Sequence, residues 1–239
     1  EMLQMLCQSI AEGALSHDTS LYHGKVLKKE DVRKLLTLDV DINITPSERV
    51  MPFKIARQLL VETPGAIAAA PCTCRLFSDS DCFPKDQELC LFVGDPHASF
   101  MVAQNPMARM ISQDEALRIL DIAHERGFVH CAYFEKAVGE RLNAICSCCS
   151  CFCGGMKAWN LTQGGVPILA PSGYVAEIGE DCNVCEECVE ACQFDAISLD
   201  EESDCAVVNE TMCMGCGVCE SVCAVEAITL RREPSKGDP

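Results

Sequence analysis

The sequence predicts an α+β protein, in which a helical or mixed N-terminal part and a cysteine-rich region precede a pseudo-twofold module of two βαβ-type repeats. Three observations predict it. Near the C-terminus the run Cys182-Asn-Val-Cys185-Glu-Glu-Cys188-Val-Glu-Ala-Cys192 is followed 31 residues later by Cys213-Met-Gly-Cys216-Gly-Val-Cys219-Glu-Ser-Val-Cys223. The stretches behind the runs repeat at the same offset, Ala196-Ile197-Ser198-Leu199 returning as Ala227-Ile228-Thr229-Leu230. Upstream, apolar residues recur at helical spacing in some stretches and alternate or cluster like strands in others.

Three segments follow in order: 1–64, a mostly helical scaffold or docking segment; 65–160, cysteine-rich; and 161–239, a linker plus the duplicated module. In the first, Lys29–Leu38 and Ser47–Val61 carry apolar residues at helical spacing, with Ser47 as N-cap and Gly65 behind the second helix. Asp39–Thr45 alternates as a short strand between them. Gly65–Cys74 is an apolar, strand-like run that delivers Cys72-Thr-Cys74-Arg75. Ser112–Arg126 has the clearest helix pattern. Ser112 and Glu115 form a capping box, Leu117, Ile119, Leu120 and Ile122 supply the apolar stripe, and Gly127 closes it. Phe128–Phe134 reads as a strand, and Glu140–Ile145 leads into a second knot of cysteines.

The duplicated runs have the spacing C-x2-C-x2-C-x3-C, which wraps thiolates around an iron–sulfur cube while loop N–H groups point inward at the sulfurs. On these residues the segment 177–232 resembles the bacterial-type 2[4Fe-4S] ferredoxin family. The resemblance implies crossed ligation: one cluster on Cys182, Cys185, Cys188 and Cys223, the other on Cys213, Cys216, Cys219 and Cys192. Gln193 and Ala224 stand where that family usually has proline, and Glu186 stands where a small residue is common. Zinc is the competing reading of C-x2-C pairs, but zinc sites use four ligands in two pairs rather than a duplicated run of four.

Nine further cysteines form two groups, Cys72, Cys74, Cys82 and Cys90, then Cys146, Cys148, Cys149, Cys151 and Cys153. Alternating cysteines in an extended strand share a face and can grip a metal together, whereas the adjacent pair Cys148-Cys149 needs irregular backbone or two centres. Ala69–Leu91 and Ile145–Cys153, with Arg109–Leu117 between them, resemble a larger family of anaerobic 4Fe-4S dicluster proteins. Its members carry such motifs ahead of a C-terminal two-cluster module. Phe152 stands where a further cysteine is usual. Three readings stay open for these nine: one or two further iron–sulfur clusters, a structural zinc, or redox-active free thiols. Cys7, Cys131 and Cys205 lie outside every motif and read as buried small residues. His97, His124 and His130 read as ordinary core or surface histidines.

Composition narrows the function. Of 239 residues, 49% are hydrophobic and twenty are cysteine. Metal-type spacing, together with opening residues that lack the pattern of a secretory leader, favours thiolates in a reducing cytoplasm over disulfides. The chain opens on Glu1 rather than Met. No stretch approaches a membrane span. The net charge of −17 is concentrated in residues 177–239, where sixteen Asp and Glu stand against three Lys and Arg. Nucleic acid is thereby disfavoured as a partner, and a basic patch on a redox protein is favoured. The expected function is single-electron relay between that partner, a flavin- or metal-containing oxidoreductase subunit, and a catalytic subunit. The alternative is an oxidoreductase subunit whose upstream cysteines hold an active-site cluster. Dinucleotide and phosphate-loop fingerprints are absent from the sequence, and no catalytic residue is expected.

Overall fold

The computed structural model describes residues 22–30, 66–135, 141–163, 169–200 and 205–237. Beyond Lys29 and Glu30, the two helices and the strand expected between 29 and 61 lie outside the described residues, as does Cys7. The protein is α+β. Along the chain run β1 (Tyr22–Leu27), β2 (Ile67–Ala70), α1 (Thr73–Leu76), β3 (Cys90–Val93), α2 (His97–Gln104), β4 (Arg109–Ile111), α3 (Gln113–Glu125), β5 (Val129–Glu135) and β6 (Arg141–Cys148). There follow α4 (Gly154–Thr162), β7 (Leu169–Ala170), β8 (Tyr174–Ile178), α5 (Glu187–Ala191), β9 (Ile197–Asp200), β10 (Cys205–Val208), α6 (Val218–Val222) and β11 (Ile228–Arg232). Among the described residues no helix is long and apolar enough to cross a membrane.

The first seven strands form one sheet in the order β4-β2-β3-β6-β5-β1-β7. Its neighbours are antiparallel except β1 and β7. The expectation of a mostly helical N-terminal segment did not foresee β1, which pairs with β5 over six residues. Its sequence, Tyr-His-Gly-Lys-Val-Leu, has too little alternation to announce a strand, and the partner strands supply what the pattern lacks.

Side-chain alternation gives the sheet two different faces. On one, Ile67, Ala69, Leu91, Val93, Ala132 and Ile145 pack against Ala116 and Leu120 of α3. That helix starts where expected. The Ser112 side chain accepts the Glu115 N–H at 3.2 Å. The return half of the box is not made, because the Glu115 carboxylate pairs with Arg109 at 2.6 Å instead. Gly127 closes the helix at φ +70°. The buried stripe is Ala116, Leu120 and Ala123, and Ile122 is 48% exposed, so the expected stripe was misplaced by part of a turn. The small alanines are what let the helix approach the sheet.

On the opposite face Val129, Cys131, Ala144 and Cys148 join one continuous core with Met156 and Trp159 of α4 and with Val175, Phe194, Val218 and Ile228 of the C-terminal module. In that module β8 pairs antiparallel with β11, and β9 with β10, so the outer strands of the repeat meet each other and so do the inner ones. Backbone conformation repeats at the sequence offset. Val184 and Gly215 have φ of 59° and 64°, Glu186 and Gly217 have 65° and 81°, and Asp195 and Glu226 have 50° and 54°.

Candidate metal centres

The C-terminal thiols converge in two cavities. One is lined by Cys182, Cys185, Cys188 and, from the second run, Cys223. The other is lined by Cys213, Cys216, Cys219 and, from the first run, Cys192. The two are of similar size, about 330 and 340 Å³ including their open mouths. The other lining atoms are mostly apolar: Val225, Ala227 and Ile228 in the first, and Phe194, Ile197, Met214 and Leu230 in the second.

The left-handed residues bend each loop around its cavity. At Gly215 a side chain is excluded outright, because a Cβ would overlap the Tyr174 carbonyl and the Ser172 hydroxyl. Backbone donors reach the sulfurs in register: the Ala196 N–H meets Cys192 Sγ and the Ala227 N–H meets Cys223 Sγ, both at 3.3 Å. The Ala176 N–H meets Cys213 Sγ at 3.4 Å. Burial pushes the Cys216 thiol up to about 12 and Cys219 higher still, whereas backbone N–H groups of Ala206 and Val184 hold Cys182 below its ordinary value. A buried thiolate of this kind is stable only beside a cation, which is the chemistry of a metal ligand. Cys185 is exposed while Cys188, Cys213 and Cys219 are buried, so the first cavity lies nearer the surface.

Upstream, strand pairing gathers thiols on the sheet face that meets this module. Cys90 stands directly opposite Cys146, with their sulfurs 3.2 Å apart. The strand expected to run on to Cys74 stops instead at Ala70. Pro71 carries no N–H for the ladder, and the chain turns into α1 with Cys72 as its extended N-cap. Cys72 nonetheless reaches Cys74, Cys90 and Cys148, and Cys148 reaches Cys153. Cys149 lies just past the end of β6, on the irregular backbone that the adjacent pair called for.

A second group consists of Cys82, Cys149 and Cys151, whose sulfurs lie within 4.8 Å of one another. Cys82 and Cys151 are paired sulfur to sulfur as a disulfide, yet their α-carbons are 7.5 Å apart, wider than the roughly 7 Å within which a disulfide closes without backbone movement. The three sulfurs are close enough together to hold a metal ion. Cys149 is lowered to about 7, chiefly by its hydrogen bond with Cys148. The nine upstream cysteines therefore divide into six around Cys72 and three around Cys149, joined by the Cys148–Cys149 contact.

Four residues had no assigned role in the sequence reading. Cys131, set aside as a small core residue, is fully buried and directly opposite Cys146. Cys205, expected to be buried, is only partly so, and it reaches Cys182. Gln193 occupies the position of the missing proline, and its Oε1 accepts both the N–H and the hydroxyl of Ser150, at 2.8 and 3.0 Å. Its carbonyl accepts Asn160 Nδ2 at 3.0 Å, so the residue after Cys192 is tied to the loop between Cys149 and Cys151. Arg75, next to the Cys72-Thr-Cys74 motif, is fully buried. The only advance signals were a glutamine in a proline's place and an arginine beside a metal-type motif. Of the histidines, His130 is buried and only half satisfied, its Nε2 having no hydrogen-bond partner among the described residues. His130 Nδ1 bonds the Ser147 hydroxyl at 2.8 Å and its ring stacks on His124, while His97 packs edge-on against Phe92.

Thiols converging in apolar cavities, with backbone donors aimed at sulfur, define a protein of the iron–sulfur, electron-transferring class. The chain carries a 4Fe-4S dicluster domain at its C-terminus, residues 181–230 matching the model of that family. Iron–sulfur clusters are the cofactors this domain implies, and the donor set fits them. Over part of its length the chain is similar to the archaeal-type glutamate synthase [NADPH] of Thermotoga maritima, 36% identical over 63 residues. It is also similar to the protein of that name from Dehalococcoides mccartyi, 34% identical over 65 residues. These matches cover 26% and 27% of this chain but only 12% and 13% of those proteins.

Proposed function

We propose that this chain is an electron-transfer subunit that relays single electrons between a redox partner and a catalytic subunit through two or more [4Fe-4S] clusters, with one or two further ones upstream of the C-terminal pair. The observation that carries the reading is the composition of the two C-terminal cavities. Each takes three cysteines from one run and the fourth from the other. The ligands are then Cys182, Cys185, Cys188 and Cys223 for one cluster and Cys213, Cys216, Cys219 and Cys192 for the other. The matching left-handed positions and paired N–H···S contacts support a pseudo-twofold module. When bound, such clusters take up and release one electron at a time.

The residues supply an ordered route. Exposed Cys185, flanked by Glu186, Glu187 and Glu190, makes an acidic port for a partner with a basic patch. Apolar walls hold water away from the second set. Gln193 and Ser150 then join Cys192 to the upstream thiols, where Cys72, Cys74, Cys90, Cys146, Cys148 and Cys153, with Cys82, Cys149 and Cys151, hold one or two more clusters. On this reading 1–64 serves docking, 65–160 the upstream centre and 161–239 the entry module, in a reducing cytoplasm. The glutamate synthases to which part of the chain is similar are named for an NADPH-linked reaction, which suits a flavin- or metal-containing oxidoreductase partner here. A second reading, an active-site cluster upstream, is favoured by the crowding of thiols around Cys149, and turnover of substrate by the isolated chain would select it.

Iron and sulfide counts on anaerobically purified chain test the proposal. About twelve or sixteen irons support it, and about eight sink the upstream centre. Zinc in place of the extra iron sinks it as well. Crossed ligation is read from serine variants. Cys223→Ser should alter the spectroscopic signal of the cluster at Cys182, Cys185 and Cys188, and Cys192→Ser the other. The reverse pairing would refute the assignment.

A further inference from the structure

Arg75 is 0% exposed, and its Nε, Nη1 and Nη2 atoms have no hydrogen-bond partner among the described residues. A buried lysine or histidine could escape the cost of burial by losing its proton, but a guanidinium cannot. Its carbon lies 4.8 Å from the ring centre of Phe152, 5.1 Å from that of Phe83 and 5.4 Å from that of Phe128. Ring faces attract the cation but give its in-plane N–H groups no acceptor. An anion is what this pocket lacks.

The surroundings indicate which anion. Phe83 follows Cys82 and Phe152 follows Cys151, so the rings that hold the guanidinium are carried by the turns that carry the thiols of the three-sulfur group. Phe152 contributes the nearest of the three ring faces.

We propose that Arg75 is the fixed counter-charge of an iron–sulfur cluster held at Cys82, Cys149 and Cys151, and that it raises the reduction potential of that cluster above those of the C-terminal pair. The inference rests on the upstream-cluster reading and names the residue that tunes that centre. Reduction adds one electron, drawn from the redox partner through the C-terminal module, and makes the centre one unit more negative. A permanent positive charge in a low-dielectric pocket favours the reduced form. The segment 182–223 contains no Lys or Arg, so the C-terminal pair has no such charge within its own loops. Electrons entering at the acidic port then run downhill toward Arg75.

The test is an anaerobic redox titration of the full chain, poised with dithionite and followed by electron paramagnetic resonance, with iron counted in every sample. Arg75→Met should shift one upstream signal to more negative potential and leave the two C-terminal signals in place, whereas Arg75→Lys should hold the upstream potential near that of the wild type. Full iron content with an unmoved upstream potential in Arg75→Met overturns the assignment, and so does a shift spread equally over all centres. If Arg75→Met loses the upstream iron and Arg75→Lys keeps it, the charge is needed for assembly and the assignment stands. Loss from both variants overturns it, because the site would then require the shape of arginine rather than its charge. A wild-type chain with about eight irons removes the upstream cluster itself, and that failure is visible before any variant is made.

Discussion

Gln193→Ala tests the junction between the two cysteine regions. The substitution removes the single oxygen that accepts the Ser150 N–H at 2.8 Å and the Ser150 hydroxyl at 3.0 Å. Each such bond contributes about 0.5–1.5 kcal/mol net, so the pair contributes about 1–3 kcal/mol. Ser150 is half-buried, and water can reach part of what is lost, which places the expected cost at about 1–2 kcal/mol. The bond donated by Asn160 Nδ2 to the Gln193 backbone carbonyl does not depend on the Gln193 side chain and should survive, keeping the module docked. A cost of that size corresponds to roughly five- to thirty-fold in an equilibrium constant. The assay is anaerobic denaturation followed through the visible absorbance of the clusters, comparing wild type, Gln193→Ala and Gln193→Met, which keeps the volume without the acceptor. Ala224→Gln is the control. It places the same side chain at the twin position, which is exposed, and should change stability by no more than about 0.5 kcal/mol. Gln193 variants that match the wild type within about 0.5 kcal/mol would refute the argument, as would an Ala224→Gln effect of equal size.

Two further outcomes follow from strain and burial. Gly215→Val should cost roughly 2–5 kcal/mol, since left-handed strain adds to overlap with Tyr174 and Ser172. Its repeat mate Val184, a branched residue at φ 59°, should by contrast tolerate glycine with a change of about 1 kcal/mol or less, relieved strain offsetting chain entropy; melting temperatures of both variants check the asymmetry, and equal effects would contradict it. His130 is lowered from 6.5 to about 3, first by burial and then by His124 and Lys29. Its folded value is depressed, so its neutral form contributes stability that is complete above about pH 6.5 and is lost as the pH falls toward 3, about 2 kcal/mol of it by pH 5. His130→Asn, which retains an acceptor for Ser147, should flatten the fall in melting temperature between about pH 7 and about pH 5, and an unchanged slope would rule the histidine out as its source.

Much of the candidate site was legible in the sequence because its signals are local. The 31-residue offset reappears in the left-handed backbone positions and in the paired N–H···S contacts. Ser112, Glu115 and Gly127 marked the ends of α3, since capping depends on neighbours within a few residues. The misses have a common cause in distance. Strand β1 exists because β5 and β7 flank it, and Ile122 faces outward because alanines made the closer fit to the sheet. Cys131 looked like filler until the pairing of β5 with β6 set it opposite Cys146.

The sequence by itself determined the chemistry: cysteine spacing dictates which thiols can share a loop, and a duplicated run dictates two such loops. The crossed sharing of the C-terminal thiols was already implied by the resemblance, whereas the grouping of the upstream thiols came only from the tertiary structure. Cavities assembled from both runs, six upstream sulfurs around Cys72 and three around Cys149 depend on sheet register and on turns that meet across long stretches of chain. The same holds for the residues that join and tune the centres. Gln193 and Arg75 acquire their roles from what lies against them, namely Ser150 in one case and three phenylalanine rings in the other. Ligand type is a property of residues and their spacing, whereas a hydrogen-bonded junction or an unpaired buried charge is a property of packing.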